Sequence, residues 1–353
     1  MGRQLPESNE PDTKSKRVMK SSCFLAAVLP LLLACCTTKN SQVSQQQSVS
    51  IEFDADSAYA FCVAQCDFGP RTMNSEAHEK CCEWIQQKFA QYGCQVELQQ
   101  ADLRGYDGTI LKSTNIIAAT TPGGSLTDGQ SVASQSPAGR ILICAHWDSR
   151  PWADNDPDEA NWHKPILAAN DGASGVAVML ELARVLQQND SACYAVDFIC
   201  FDAEDWGVPQ WSNQVDGDSW ALGAQHWASQ YQGNRYQFGI LLDMVGGQGA
   251  KFYQEGYSKQ YARRIVDRVW QAAATAGYGS FFPLKESGYV TDDHVPVNEK
   301  AHVPCIDIIN HYPDCEQSSF GPTWHTVSDD MQHIDANTLK AVGQTLVQLI
   351  YDK

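Results

Sequence analysis

Four short runs constrain this chain more than anything else in it: GRILICAHWD (139–148), YAVDFICFDAED (194–205), YQFGILLDMVGG (236–247) and VPCIDIIN (303–310). Each is nearly continuous in apolar character and rich in β-branched residues, as strands buried on both faces are. Between and after them lie helical patterns, SGVAVMLELARVLQQ, WALGAQHWASQYQ, YSKQYARRIVDRVWQAAATAG and ANTLKAVGQTLVQLIYDK. Strand–helix alternation of this kind predicts a mostly parallel sheet covered by helices on both sides. Earlier, QVELQQADL and STNIIAAT read as neighbouring strands, and two helices are expected before them, the second stopping at Gly93. No internal repeat is evident.

The N-terminus reads as an address. VMKSSCFLAAVLPLLLACC has a basic start at Lys20, an apolar run from Phe24 to Leu33, and a small residue before cysteine. The run is short for a membrane span and fits a signal peptide. LLAC, ending at Cys35, resembles a bacterial lipoprotein signal, in which that cysteine carries the lipid. Residues 1–34 are therefore expected to be a leader, with Met19 an alternative start. Residues 35–52, polar and almost uncharged, are expected to be the acylated cysteine and a tether. Residues 53–353 would form a single catalytic α/β domain. The implied location is the bacterial envelope, facing the periplasm, with lipid as the sole membrane contact. A formal charge of −17 lacks the basic footprint that nucleic acid requires. A monomer is expected.

Of 13 cysteines, Cys144, Cys200 and Cys305 fall inside the apolar runs and read as buried small hydrophobes. No CxxC pair is present, which disfavours a cysteine-bound metal. Chemistry instead gathers where the strands end. His146 and Asp148 close the first run, and Glu204 and Asp205 follow the second. Asp243 sits in the third, and Asp171 lies in NDGASG just before a helix. TDDHVP brings Asp292, Asp293 and His294, and WHT brings Trp324 and His325. In open α/β sheets ligands bind beyond the carboxyl ends of the strands. Histidine and carboxylates without thiolates suit a zinc site of nitrogen and oxygen ligands. Of the adjacent pair Glu204-Asp205, one residue can bind metal while the other serves as acid and base. Asp148 is placed to orient a neighbour such as His146. DNDPDEA (154–160) spaces three aspartates like part of a calcium loop but lacks its glycine and distal glutamate, so a solvated loop is expected.

AHWDSRP, NDGASG, FDAEDWG, LLDMVGG, DDHVPV and WHT, in this order, resemble the bacterial glutaminyl cyclases related to zinc aminopeptidases. The resemblance covers roughly residues 55–353. It implies a three-layer α/β/α sandwich of zinc aminopeptidase type and one catalytic zinc held by Asp171, Asp205 and His325. Glu204 would be the acid/base, with Asp243 and Asp292 in a carboxylate network beside it. Trp324 would line the pocket for the N-terminal residue of a peptide or protein beginning with glutamine. A tryptophan after the Glu-Asp pair lines the family pocket, and Trp206 and Trp211 both compete for that place. The chain departs from its relatives at Thr291, where some have glutamine, and at Asp205, often glutamate. Either departure bears on substrate or metal contact. The reaction implied is closure of N-terminal glutamine to pyroglutamate with release of ammonia. The rival reading is a two-zinc aminopeptidase, because His146, Asp171, Asp205, Asp243 and His325 supply its full ligand set.

Overall fold

The computed structural model describes residues 47–120, 138–214 and 217–352. The leader (1–34), Cys35 and residues 36–46 of the expected tether lie outside the described residues. In chain order the elements are α1 (Ala55–Cys66), α2 (Glu76–Gln91), β1 (Gln95–Arg104), β2 (Ile110–Ala119), β3 (Arg140–His146), α3 (Ala173–Gln188), β4 (Ala195–Phe201), α4 (Leu222–Gln230), β5 (Gly239–Asp243), α5 (Gly256–Thr275), α6 (His294–Glu299), β6 (Cys305–Ile309) and α7 (Ala336–Tyr351).

The six strands form one sheet in the order β1-β2-β4-β3-β5-β6. The four predicted buried runs are its parallel part, and β1 and β2 add an antiparallel edge. Alternation along the parallel strands builds two cores. Ile141, Ile143 and Ala145 of β3, with Phe198 and Cys200 of β4, face the layer that contains α1, α3 and α7. Leu142 and Cys144, with Ile199, Leu241 and Cys305, face α4 and α6. Cys144, Cys200 and Cys305 are fully buried free thiols, as their surroundings in the sequence suggested.

Residues 47–52, which the sequence places in the tether, are pinned instead. Buried Gln344 and Gln348 of α7 act as two-sided clamps. Gln348 accepts from the Val49 amide (2.9 Å) and donates to the Gln47 carbonyl (3.1 Å). Gln344 accepts from the Phe53 amide (2.9 Å) and donates to the Ile51 carbonyl (2.8 Å). Uncharged glutamine satisfies both groups of an extended backbone, which composition alone does not reveal.

Register decides where the chemistry collects. His146 is level with Phe201, and Asp243 with Ile309, so β3, β4, β5 and β6 end together at one edge.

Candidate active site

Each site residue at that edge is held by a backbone device. Asp329 clamps the loop before α3, its two carboxylate oxygens accepting the amides of Asn170 (2.8 Å) and Asp171 (3.0 Å). Gly172 follows with φ +102, and a Cβ there would lie 2.8 Å from the Asp148 carbonyl oxygen. Glycine is the residue that permits this approach. After β4, Asp202 accepts the amides of Thr114 (2.6 Å) and Ala203 (2.9 Å), with His78 Nε2 2.8 Å away. Ala203 turns left-handed at φ +53, and Asp148 then accepts the amides of Glu204 (3.1 Å) and Asp205 (3.2 Å). Asp148 thus holds the Glu-Asp pair, while its distance to His146 Nδ1 is 3.6 Å.

Five of the seven described non-glycine residues with positive φ adjoin or belong to this site: Ala168, Ala203, Ala221, Met244 and His325. Such backbone costs about 1–3 kcal/mol per residue and persists where surrounding packing enforces it.

Asp171, Asp205 and His325 converge. His325 Nε2 lies 3.4 Å from Asp205 Oδ1 and 3.6 Å from Asp171 Oδ2. Donors on a tetrahedral zinc with bonds near 2.0 Å are separated by roughly 3.3 Å, so these spacings suit it. Asp171 Oδ2 and Asp205 Oδ2 are buried without a hydrogen-bond partner. The residues present therefore fit a zinc ion. A second set, His146, Asp171 and Asp243, is also close enough to share a cation, with His146 Nε2 3.0 Å from Asp171 Oδ1 and 3.3 Å from Asp243 Oδ1.

Behind the ligands stands a pair absent from the expected set. Arg150, fully buried, donates from Nε and Nη2 to the two oxygens of Asp154 (both 2.7 Å) and from Nη1 to Asp205 Oδ1 (3.1 Å). Asp154 Oδ1 in turn lies 3.4 Å from His325 Nδ1. Burial alone would raise the Asp154 pKa, but Arg150 and His325 outweigh it and hold the group well below the usual carboxylate range. Asp154 is thus part of the site, and only the later part of DNDPDEA is exposed.

The cavity in front of the ligands has a volume of about 250 Å³. Glu204, Asp243 and Asp292 line it, and Trp324, Trp220 and Phe320 give it aromatic walls. Thr291 is at its exposed rim. Trp206 and Trp211, the two tryptophans expected here, do not line it. The chain after Asp205 carries them outward: Trp206 donates to Asp107 (3.3 Å) and packs on Gly105, and Trp211 stacks on Trp162. Trp220 lines the cavity instead.

Carboxylates continue beneath the cavity. Asp292, Asp293 and Asp307 are nearly or fully buried, and both oxygens of Asp293 and Asp307 lack hydrogen-bond partners. Burial, with Asp205 adjacent, pushes the Glu204 pKa well above its ordinary value. Burial and Asp292 push Asp243 to about 7. Burial, again with Asp292 beside them, pushes Asp293 and Asp307 well up. So many carboxylates in one buried region oppose one another's ionisation, which is why these pKa values all move up.

Known proteins are similar to this chain in sequence and fold. A glutaminyl cyclase from Bacteroides thetaiotaomicron, solved with N-acetylhistamine bound, is 46% identical, with 86% of this chain and 99% of that chain covered and a TM-score of 0.79. A leucine aminopeptidase precursor from Bacteroides thetaiotaomicron VPI-5482 is likewise 46% identical over 86% of this chain and 98% of that one, with a TM-score of 0.77. The aminopeptidase YwaD of Bacillus subtilis (strain 168) is 29% identical over 60% of this chain, which spans only 40% of the length of YwaD. A glutaminyl-peptide cyclotransferase of Gloydius blomhoffii is 25% identical over 69% of this chain and 70% of its own length. Peptidase family M28 matches residues 129–350, well over half of the sequence. With that match and a mostly parallel α/β sheet carrying its polar residues at one edge, the chain belongs to peptidase family M28.

Proposed function

We propose that this protein is a glutaminyl-peptide cyclotransferase, closing the N-terminal glutamine of peptides or proteins to pyroglutamate with release of ammonia. The observation that carries the reading is the small aromatic cavity, with Glu204, Asp243 and Asp292 in its wall and the buried carboxylates Asp293 and Asp307 close to Asp292. Known relatives named glutaminyl cyclase support it. Asp171, Asp205 and His325 would hold one zinc, which when bound polarises the side-chain amide and favours negative charge on its oxygen.

The chain's own residues supply the rest. The substrate's α-nitrogen is the nucleophile, so the enzyme provides none, and a short tether between reacting groups favours ring closure. As the new C–N bond forms, Glu204 takes a proton from that nitrogen. The old amide C–N bond then breaks, and the proton passes from Glu204 to the departing nitrogen, which leaves as ammonia. A base near neutrality suits both transfers, and the raised Glu204 pKa has the right direction. Burial raises the pKa of both Asp243 and Asp292 beside it, which favours a shared proton and limits the charge that accumulates. Trp324, Trp220 and Phe320 exclude water and orient the flat amide.

The contrast between adjacent carboxylates tests this assignment. Glu204→Gln should retain zinc and lose about 10²–10⁴-fold in cyclisation rate. Asp205→Asn should lose zinc first. Zinc loss from the Glu204 variant, with zinc kept by the Asp205 variant, would reverse the roles.

A second reading is supported by the set His146, Asp171 and Asp243, which with the first set could hold two zinc ions, as an aminopeptidase would. Activity that requires two metal equivalents, and free amino acid as product, would favour it. For location, the leader 1–34 followed by Cys35 supports a lipoprotein facing the periplasm.

A further inference from the structure

Two residues lining the catalytic cavity are exposed, Thr291 and Tyr289, and Tyr289 is 67% exposed. A large aromatic ring left in water at a cavity mouth usually swings freely. This one is held. The loop that carries it pairs with the start of α5, through Gln254 N to Lys285 O (2.8 Å), Ser287 N to Gln254 O (3.0 Å) and Gly256 N to Gly288 O (3.0 Å). Immediately after the tyrosine, the Val290 amide donates to Oε1 of fully buried Glu255 (2.9 Å). The ring lies on the bare backbone of Gly256, where a Cβ would approach Tyr289 Cγ and Cδ1 to 2.8 Å. Tyr257 packs against it at 73°, with centroids 4.9 Å apart. The ring is thus fixed in place with much of its surface still bare.

We infer that Tyr289 is a specificity-determining residue, a fixed platform for the side chain that follows the N-terminal glutamine in a peptide substrate. The inference rests on the cyclase reading. A cavity of about 250 Å³ with carboxylates at its base accepts one residue, so the peptide must leave through the mouth. Trp220, Phe320 and Trp324 are committed to the first residue. The next side chain meets the rim, where among the described lining residues the exposed aromatic ring is Tyr289. The chemistry it recognises is an apolar or aromatic second residue, in preference to glycine.

The test uses the full chain with zinc and two peptide amides, glutaminyl-phenylalanine amide and glutaminyl-glycine amide, with kcat and KM measured for each. The wild type should favour the phenylalanine peptide in kcat/KM. Tyr289→Ala should shrink that preference about three- to tenfold, the range of one aromatic contact, through the KM of the phenylalanine peptide. Tyr289→Phe should keep the preference. Gly256→Ala, which displaces the ring without removing it, should reduce it in part. Normal ring closure with the same ratio in the wild type and Tyr289→Ala would overturn the inference alone. No ring closure on either peptide by the wild type would overturn the cyclase reading, and the inference with it.

Discussion

The indole of Trp324 lies almost parallel to the imidazole of His325, their centroids 3.9 Å apart at 24°. Neighbours along a chain rarely stack, and here the left-handed backbone at His325, φ +53, accompanies the stacking. One residue is thereby turned to the ligand set while the other becomes a cavity wall. Trp324→Ala should raise KM for a glutamine peptide about three- to tenfold and leave zinc content intact. Trp324→Phe should recover most of the loss. Loss of zinc from Trp324→Ala, read by elemental analysis, would mean that the ring supports the ligand rather than the substrate.

Arg150 and Asp154 tie Asp205 to His325 through hydrogen bonds and the 3.4 Å approach of Asp154 Oδ1 to His325 Nδ1. Outer partners of this kind are commonly worth about 10–100-fold in metal affinity. Asp154→Asn should weaken zinc binding by that order in competition with a chelator, with the fold retained by circular dichroism. Affinity equal to that of the wild type would show that His325 needs no orienting partner.

Glu255 gives a stability test away from the ligands. Burial alone would raise its pKa, but His294 at 3.2 Å and hydrogen bonds from Ser258 outweigh it and bring the value down to about 2. For an acid depressed in the folded state, the stabilisation is present above the unfolded value of about 4.3 and is lost as pH falls through the folded value. Glu255→Gln should therefore be less stable at pH 7 by on the order of 3 kcal/mol. The gap should close as pH falls from about 4.5 toward about 2. Urea midpoints at neutral and acid pH read this directly, and an offset that stays constant with pH would contradict it.

Cys35 lies outside the described residues, and its role is a proposal from sequence. Cys35→Ser should abolish lipid labelling and leave the protein unanchored or unprocessed. A mature wild-type protein that starts well after Cys36 and carries no lipid would refute it.

What was legible in the sequence follows from periodicity and position. The parallel strands showed because burial on both faces makes them continuously apolar, and Asp205 showed as a candidate because it follows a strand end, whereas the choice of Asp171, Asp205 and His325 as one ligand set came from the family resemblance. Asp307 was hidden because a lone acid inside the apolar run CIDII does not reveal that it faces other carboxylates. Arg150 and Asp154 were hidden for the opposite reason, since a charged loop looks solvated until each charge is seen to satisfy the other. Trp220 was missed, because Trp206 and Trp211 stand nearer the Glu-Asp pair and the sequence that follows them has no period to point further on.

The central claim is the reaction itself. Purified protein loaded with zinc should be incubated separately with a peptide that begins with glutamine and one that begins with leucine, and the products analysed for ammonia, ring-closed peptide and free amino acid. The account predicts ammonia and a pyroglutamyl peptide in equal amounts from the first and no free leucine from the second. Free leucine without any ammonia would contradict it and establish the hydrolytic reading in its place.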